Sequence, residues 1–132
     1  EMQAALDKPG IFKLDCRDKS EWMGIDSSPY TRDFAPRKGR LPGAIWIEWY
    51  NTMYMRDGIC WFKEPDELKA LFATAGIKDD STVYLYCFKG ARTSNVFIAL
   101  RMAGINNVRS YFASWNEWSR HPELPTISGP PE

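Results

Sequence analysis

The feature that most constrains this chain is the run Val-Tyr-Leu-Tyr-Cys-Phe-Lys-Gly-Ala-Arg-Thr-Ser at residues 83–94. An apolar segment rich in β-forming residues ends at Cys87, a glycine-containing loop follows, and helical periodicity begins at Arg92. This pattern predicts a strand, a tight loop and the start of a helix. The N–H groups of such a loop and the positive end of a helix dipole stabilise a thiolate. Cys87 is therefore a candidate nucleophile.

Two readings of Cys87 compete. A cysteine that ends a buried strand is often only a small core residue. However, Lys89 and Arg92 place two cations within five residues of the thiol, and Gly90 lets the backbone turn back toward it. Cations and a flexible glycine favour an anion-binding loop over simple packing.

Strand patterns alternate with helix patterns along the chain, which predicts an α/β domain with parallel strands joined by helices. A short helix is predicted at 49–55. Cys60 is expected to lie in the core, and residues 124–132 are expected to form a loosely held tail. The strands are predicted at 11–15, 44–48, 83–87 and 108–112, and the helices at 1–6, 18–23, 65–75, 92–103 and 115–118.

The 132 residues suit one compact domain, so we assign residues 1–132 to a single domain. The 17 basic and 17 acidic residues cancel, which disfavours nucleic acid or an anionic membrane as a partner. No apolar run approaches the ~20 residues that span a bilayer. The chain begins at Glu1, so it is read as a processed form or part of a longer protein. The compartment is unknown, with the cytoplasm as the default and the periplasm as the alternative for a processed form.

The three widely spaced cysteines argue against both a disulfide framework and a zinc cluster. Asp15 and Arg17 lie at the carboxyl end of the first predicted strand, at the sheet edge where parallel sheets bind ligands. A salt-bridging pair that holds the loops explains these two residues equally well. The long loop at 24–41 is net basic, which fits either a functional loop or a solvated one.

Four segments match a known pattern in order along the chain. Residues 87–92 match a six-residue active-site loop, and 14–18 match a first-strand signature with an aspartate two residues before an arginine. Residues 37–44 resemble a Gly-His-Ile-Pro-Gly-Ala segment, and 114–118, Ser-Trp-Asn-Glu-Trp, are similar to a run after the last strand. Together they identify a resemblance to the rhodaneses, the thiosulfate sulfurtransferase-like domains, and especially to the catalytic halves of tandem sulfurtransferases.

The resemblance implies an open five-stranded parallel sheet flanked by helices on both faces. It also implies transfer of a sulfane sulfur from thiosulfate, or a related donor, to cyanide or a thiol acceptor through a persulfide on Cys87. The loop N–H groups from Phe88 to Arg92 are expected to stabilise the thiolate and the persulfide. Because sulfur itself is the carried group, no metal or organic cofactor is expected.

The expected donor site centres on Lys89, which would hold the sulfonate end, and on Arg92, which would contact donor oxygens or tie the loop together. Arg40 stands where the family pattern has histidine, which leaves the identity of the donor open. Phe88 replaces a second cation, which predicts a weaker affinity for the donor. The remaining expected donor-binding residues are Phe88, Gly90, Ala91 and Thr93, and the expected supporting residues are Asp15, Arg17, Arg40 and Trp115.

Other functions remain open. A phosphatase or arsenate reductase on the same architecture has one more residue between its cysteine and arginine than separates Cys87 from Arg92 here. A non-catalytic binding module usually lacks the cysteine. A sulfur relay would use the same chemistry with a protein donor. The expected partners are a small-molecule sulfur donor and a thiophilic acceptor, with a protein sulfur acceptor or a thioredoxin-like reductant as further candidates. Whether a second rhodanese domain precedes Glu1 is left open.

Overall fold

The computed structural model describes residues 1–131. The strands are β1 (Ile11–Asp15), β2 (Ile45–Trp46), β3 (Met53–Arg56), β4 (Ile59–Phe62), β5 (Thr82–Tyr86) and β6 (Asn107–Ser110). The helices are α1 (Met2–Ala5), α2 (Lys19–Trp22), α3 (Pro65–Ala73), α4 (Ala91–Met102) and α5 (Ser114–Trp118), with a 3₁₀ turn at Trp49–Thr52. Within this part of the chain, no helix combines the length and apolar character needed to cross a bilayer.

The central sheet has four parallel strands in the order β2, β1, β5, β6. Strands β1 and β5 pair over their full length, with Ile11 opposite Thr82 and Asp15 opposite Tyr86. Because the two strands are parallel and in register, the chain leaves both at the same edge of the sheet. Cys87 is the first residue beyond β5 at that edge.

Both faces of the sheet are buried, as the near-continuous apolar run of β5 predicts. Val83 and Leu85 pack into a core with α3 and α4 residues such as Phe72 and Leu100. On the opposite face, Tyr86 packs with Met2 of α1 and with Trp115 and Trp118 of α5. This confirms the predicted α/β architecture with helices on both faces.

The predicted fifth parallel strand is wrong for residues 1–131, which form four parallel strands and a separate antiparallel hairpin of β3 and β4. The helix predicted at 49–55 is also wrong, because only the 3₁₀ turn at Trp49–Thr52 is helical and strand β3 follows it. The cause is the Asp57-Gly58 turn, where both residues have positive φ, 53° and 75°. Two such residues form the tight turn that connects hairpin strands. Cys60 lies on this hairpin and is exposed, so its predicted core position is wrong as well.

The tail is better fixed than the sequence predicted. Arg40 and Ile127 form an antiparallel bridge, with both backbone hydrogen bonds at 2.9 Å. The Trp118 indole donates to Pro125 O at 2.9 Å, and Arg37 donates to Leu124 O at 2.8 Å. Residues 124–129 are therefore packed against the domain, because the Trp118 indole and the Arg37 guanidinium donate hydrogen bonds to backbone carbonyls in this segment. Residue 132 of the predicted tail lies outside the described residues.

Candidate active site

Cys87 lies between the end of β5 and the start of α4, with only 1% of its surface exposed. The N–H of Gly90 donates to Cys87 Sγ at 3.1 Å. Helix α4 begins one residue later, so the positive end of its dipole lies beside the sulfur. The predicted ring of N–H donors from Phe88 to Arg92 needs correction, because among the described hydrogen bonds Gly90 supplies the one backbone N–H on this sulfur.

The conformation of Gly90 makes that hydrogen bond available. Its φ is +100°, which places it in the left-handed region that favours glycine. A Cβ atom there would lie 2.7 Å from the Phe112 ring. The loop therefore curls over the sulfur in a way that an L-side chain at this position would oppose.

Ser114 holds the loop from the other side. Its Oγ accepts a hydrogen bond from the Cys87 N–H at 3.0 Å and donates to Tyr111 O at 2.7 Å. The next residue, Trp115, donates its N–H to Cys87 O at 3.0 Å. Ser114 has a φ of 55°, an unusual backbone conformation for serine. The start of α5 is thus hydrogen-bonded to the backbone of Cys87, the candidate nucleophile.

Thr93 lies behind the sulfur and is fully buried. Its hydroxyl donates to Gly90 O at 2.8 Å and lies 3.9 Å from Cys87 Sγ. Thr93 and Gly90 therefore shape the loop, and the structure does not place them in the cavity where a donor would bind.

A cavity of about 220 Å³ opens in front of the cysteine. The Lys89 ammonium lies 4.8 Å from the centre of the Tyr30 ring. The structure brings four of the residues predicted to bind the donor to this cavity, namely Phe88, Lys89, Ala91 and Arg92. The complete lining is Pro29, Tyr30, Cys87, Phe88, Lys89, Ala91 and Arg92.

Arg92 is engaged by carboxylates. Its guanidinium donates to both oxygens of Glu21, and its Nη1 lies 3.2 Å from Asp18. Burial lowers the pKa of Arg92, but the hydrogen bonds and the charge of Glu21, together with the charges of Cys87 and Asp18, outweigh burial, so the net shift is upward. Of the two roles predicted for Arg92, these contacts correspond to tying the loop, here to α2.

A second buried thiol lies next to the first. The N–H of Cys16 donates to Tyr86 O at 3.0 Å, which continues the pairing of β1 with β5 and places Cys16 beside Cys87. Burial, followed by the nearby Asp15 carboxylate, raises the pKa of the Cys16 thiol well above its usual value. Cys16 is therefore held in its neutral form.

The four predicted supporting residues lie outside the cavity. Arg17 pairs with Asp15 at 2.7 Å, donates to Gly39 O at 2.6 Å, and lies 4.7 Å above the Trp115 ring. Arg40 donates to Gly129 O at 2.7 Å. These contacts fit the alternative in which the Asp15–Arg17 pair holds the loops.

Three residues at the site were missed by the sequence reasoning: Glu21, Ser114 and Tyr30. The spacing of Asp18 and Glu21 is a capping-box signal, and the Asp18 N–H donates to Glu21 Oε2 at 3.2 Å as that motif requires. Ser114 belongs to the quoted Ser-Trp motif, but nothing local indicates that it bonds to Cys87. Tyr30 had no signal beyond its place in a long loop.

The fold and the site together define a parallel α/β domain with a candidate thiol nucleophile at the carboxyl edge of its sheet. The rhodanese-like domain family matches residues 1–121. The chain therefore belongs to the rhodanese-like domain family.

Two relatives and one solved structure illustrate the similarity. A relative from Haloferax volcanii is 37% identical over 131 residues, which are 98% of this chain and 44% of that protein. A thiosulfate sulfurtransferase of Corynebacterium glutamicum is 32% identical over 123 residues, 91% of this chain and 39% of that protein. A variant of EanB in complex with ergothioneine superposes with a TM-score of 0.85 at 27% identity, covering 99% of this chain and 31% of EanB.

Another EanB structure holds ergothioneine covalently linked with a persulfide cysteine. The chain spans 39–44% of the length of the two relatives.

Within residues 1–131, no group of three or more His, Cys, Asp or Glu side chains is arranged to hold a metal ion.

Proposed function

We propose that this chain is a thiosulfate sulfurtransferase that carries sulfur as a persulfide on Cys87. The observation that carries the proposal is that Cys87, whose Sγ accepts the Gly90 N–H at 3.1 Å, lines a cavity together with Lys89. An N–H donor and a helix N-terminus favour an anionic sulfur. A lysine at the same cavity favours an anionic donor.

In the first step, the Cys87 thiolate attacks the outer sulfur of thiosulfate. A new S–S bond forms at Cys87, the S–S bond of thiosulfate breaks, and its electron pair leaves with sulfite. The Gly90 N–H and the α4 dipole favour the anionic form of the resulting persulfide. In the second step, cyanide or a thiolate attacks the outer persulfide sulfur, and the electron pair returns to Cys87 as thiolate.

Two features of the site support sulfur transfer over phosphate or arsenate chemistry. A phosphatase or arsenate reductase on this architecture has one more residue between its cysteine and its arginine than separates Cys87 from Arg92. Arg92, the arginine of the loop, is bound to Glu21 and Asp18. The retained Cys87 also argues against a non-catalytic binding module.

Mass spectrometry of peptides after thiosulfate treatment tests the proposal. We expect one added sulfur on the peptide that contains Cys87, its removal by cyanide, and its absence in Cys87→Ser. Peptides containing Cys16 and Cys60 serve as internal controls. Sulfur on exposed Cys60 instead of Cys87, or on neither, would show that the proposal is wrong.

A further inference from the structure

Cys16 is a buried thiol that the proposed sulfur transfer does not use. It directly follows β1, as Cys87 directly follows β5. Leu14 and Leu85, each two residues before a cysteine, are partners in the parallel pairing of the two strands. The Cys16 N–H continues this pairing with its hydrogen bond to Tyr86 O at 3.0 Å. The register therefore sets Cys16 and Cys87 opposite each other.

Both thiols lie on the same face of the sheet. Side chains alternate between the two faces along a strand, so each cysteine shares the face of the leucine two residues before it. Both cysteines and both leucines belong to the core cluster that α3 and α4 cover. Neighbouring strands lie about 4.8 Å apart, which is within the range of about 4.4–6.8 Å that separates the Cα atoms of a disulfide. The backbone spacing therefore suits a disulfide between Cys16 and Cys87.

The two thiols differ in their access to small molecules. Cys87 lines the cavity, whereas Cys16 is fully buried and lies outside the cavity lining. Burial and the Asp15 carboxylate raise the pKa of the Cys16 thiol, and a protonated thiol is a poor nucleophile toward peroxide. At Cys87 the Gly90 N–H and the α4 dipole favour the reactive thiolate. A peroxide that enters the cavity therefore oxidises Cys87 and leaves Cys16 reduced.

We propose that Cys16 is a resolving cysteine, which forms a reversible disulfide with Cys87 after a peroxide has oxidised Cys87. In the first step, the Cys87 thiolate attacks one oxygen of hydrogen peroxide, an S–O bond forms, the O–O bond breaks and hydroxide leaves. The hydroxide takes up the proton that Cys87 had released. In the second step, the Cys16 sulfur attacks the sulfur of the sulfenic acid, an S–S bond forms, and the S–O bond breaks. The hydroxyl group leaves with the Cys16 proton as water, so two thiols are oxidised and one peroxide is reduced to two waters.

The disulfide stops Cys87 short of sulfinic acid, which thiols do not reduce. A dithiol reductant returns both cysteines to thiols, so the nucleophile is blocked but not destroyed. The inference needs a reactive Cys87 thiolate and does not depend on which sulfur donor the site uses.

Peptide mapping without reduction tests the proposal, because trypsin places the three cysteines on separate peptides, residues 14–17, 57–63 and 79–89. After treatment with equimolar hydrogen peroxide and alkylation of the remaining thiols, we expect peptide 14–17 to be linked to peptide 79–89. The linked pair should be two hydrogens lighter than the two peptides together and should disappear with dithiothreitol. Cys87→Ser should leave Cys16 reduced. Cys60→Ala is the matched control and should form the same link.

Cys16→Ala gives a second measurement, because this variant has no thiol to resolve the sulfenic acid. With excess peroxide, we expect sulfinic acid to accumulate on peptide 79–89 at least roughly fivefold faster than in the wild type. Equal rates in the two proteins, a wild-type link that involves only peptide 57–63, or a Cys87 that peroxide leaves unoxidised would each overturn the proposal. Since the readout is the bond itself, failure of thiosulfate turnover would leave this inference standing, and absence of the link would leave sulfur transfer standing.

Discussion

Two charged side chains, Lys89 and Arg92, line the cavity. Arg92 forms an ion pair with Glu21, whereas Lys89 forms no ion pair within residues 1–131. We predict that Lys89→Ala lowers kcat/KM for thiosulfate roughly tenfold, since one charge-assisted contact to the donor is lost. Lys89→Arg should retain most of the activity. Steady-state kinetics at low and moderate salt checks this, because an electrostatic contact weakens as ionic strength rises.

Lys69→Ala is the matched control, because Lys69 lies on α3 and pairs with Asp79 at 3.0 Å on the surface. It should leave thiosulfate kinetics unchanged. An equal loss in both variants would mean that net charge, rather than the position of Lys89, governs donor binding.

Cys16 gives a prediction about stability and pH. Burial and the Asp15 carboxylate raise the pKa of the Cys16 thiol in the native state, whereas in the unfolded chain a cysteine titrates near pH 8.5. Above about pH 8.5 the unfolded chain loses this proton while the native protein keeps it. The free energy of unfolding should therefore fall as pH rises, by at most about 1.4 kcal/mol per pH unit from this group.

Urea denaturation at pH 7 and pH 10, on the wild type and on Cys16→Ala, measures this contribution. We expect the variant to be less stable at pH 7, because it loses a buried side chain, and to approach the wild type at pH 10. Parallel pH profiles for the two proteins would contradict the raised pKa.

At the scale of elements, the two ends of α4 offer a matched pair of glycines. Gly90 immediately precedes the helix with φ +100°, and Gly104 follows its end with φ +88°. A Cβ at Gly104 would meet nothing within 4 Å, whereas one at Gly90 would meet Phe112 at 2.7 Å. Alanine at either site incurs about 1–2 kcal/mol of backbone strain, but only at Gly90 does it also displace the N–H that bonds Cys87.

We therefore predict that Gly90→Ala slows persulfide formation on Cys87 at least tenfold, as loss of one preorganised donor does. Gly104→Ala should reduce stability without slowing this step. Single-turnover reactions with thiosulfate, read by mass spectrometry, measure the rate. Equal rates in the two variants would show that the Gly90 N–H has no role in sulfur transfer.

Elements with a strong periodic pattern could be predicted from the sequence, and those defined by tertiary pairing could not. The apolar run of β5 and the helical spacing of apolar residues in α3 and α4 indicate the type and place of these elements. The hairpin is absent from the sequence prediction, which places a helix at 49–55, although an Asp57-Gly58 dipeptide between β-forming residues is a hairpin signal. Arg92 and Glu21 lie 71 residues apart, so no local pattern could have paired them.

Tyr30 illustrates the same limit at the site. The sequence predicts a long loop at 24–41, but the path of this loop depends on two buried serine hydroxyls and on the contact of Tyr30 with Phe88. Cys87, Lys89 and Ala91 were found because they are neighbours in sequence. The opposite wall of the cavity comes from a distant segment, which only the fold brings close.

At the scale of the whole molecule, the tail closes the domain over the loop that carries Arg37 and Arg40. Arg37 donates to four backbone carbonyls in residues 118–124 at 2.8–3.0 Å. Gly39 lies so close to Ile127 that a Cβ there would be 2.1 Å from Ile127 O. Gly39 O also accepts from Arg17, so the tail, the loop and the buried Asp15–Arg17 pair form one connected structure.

We predict that Gly39→Ala breaks the bridge between Arg40 and Ile127 and destabilises the domain by about 2 kcal/mol, because φ is +121° and the clash is with backbone rather than with a flexible side chain. Hydrogen exchange should show faster exchange of the Ile127 and Arg40 amides, which bond each other's carbonyls at 2.9 Å in the native protein. Gly10→Ala is the control, since Gly10 also has positive φ but a Cβ there meets nothing within 4 Å. It should lower stability without exposing these two amides. If Ile127 remains protected in Gly39→Ala, the tail is held by the Arg37 and Trp118 hydrogen bonds alone and the bridge contributes nothing to it.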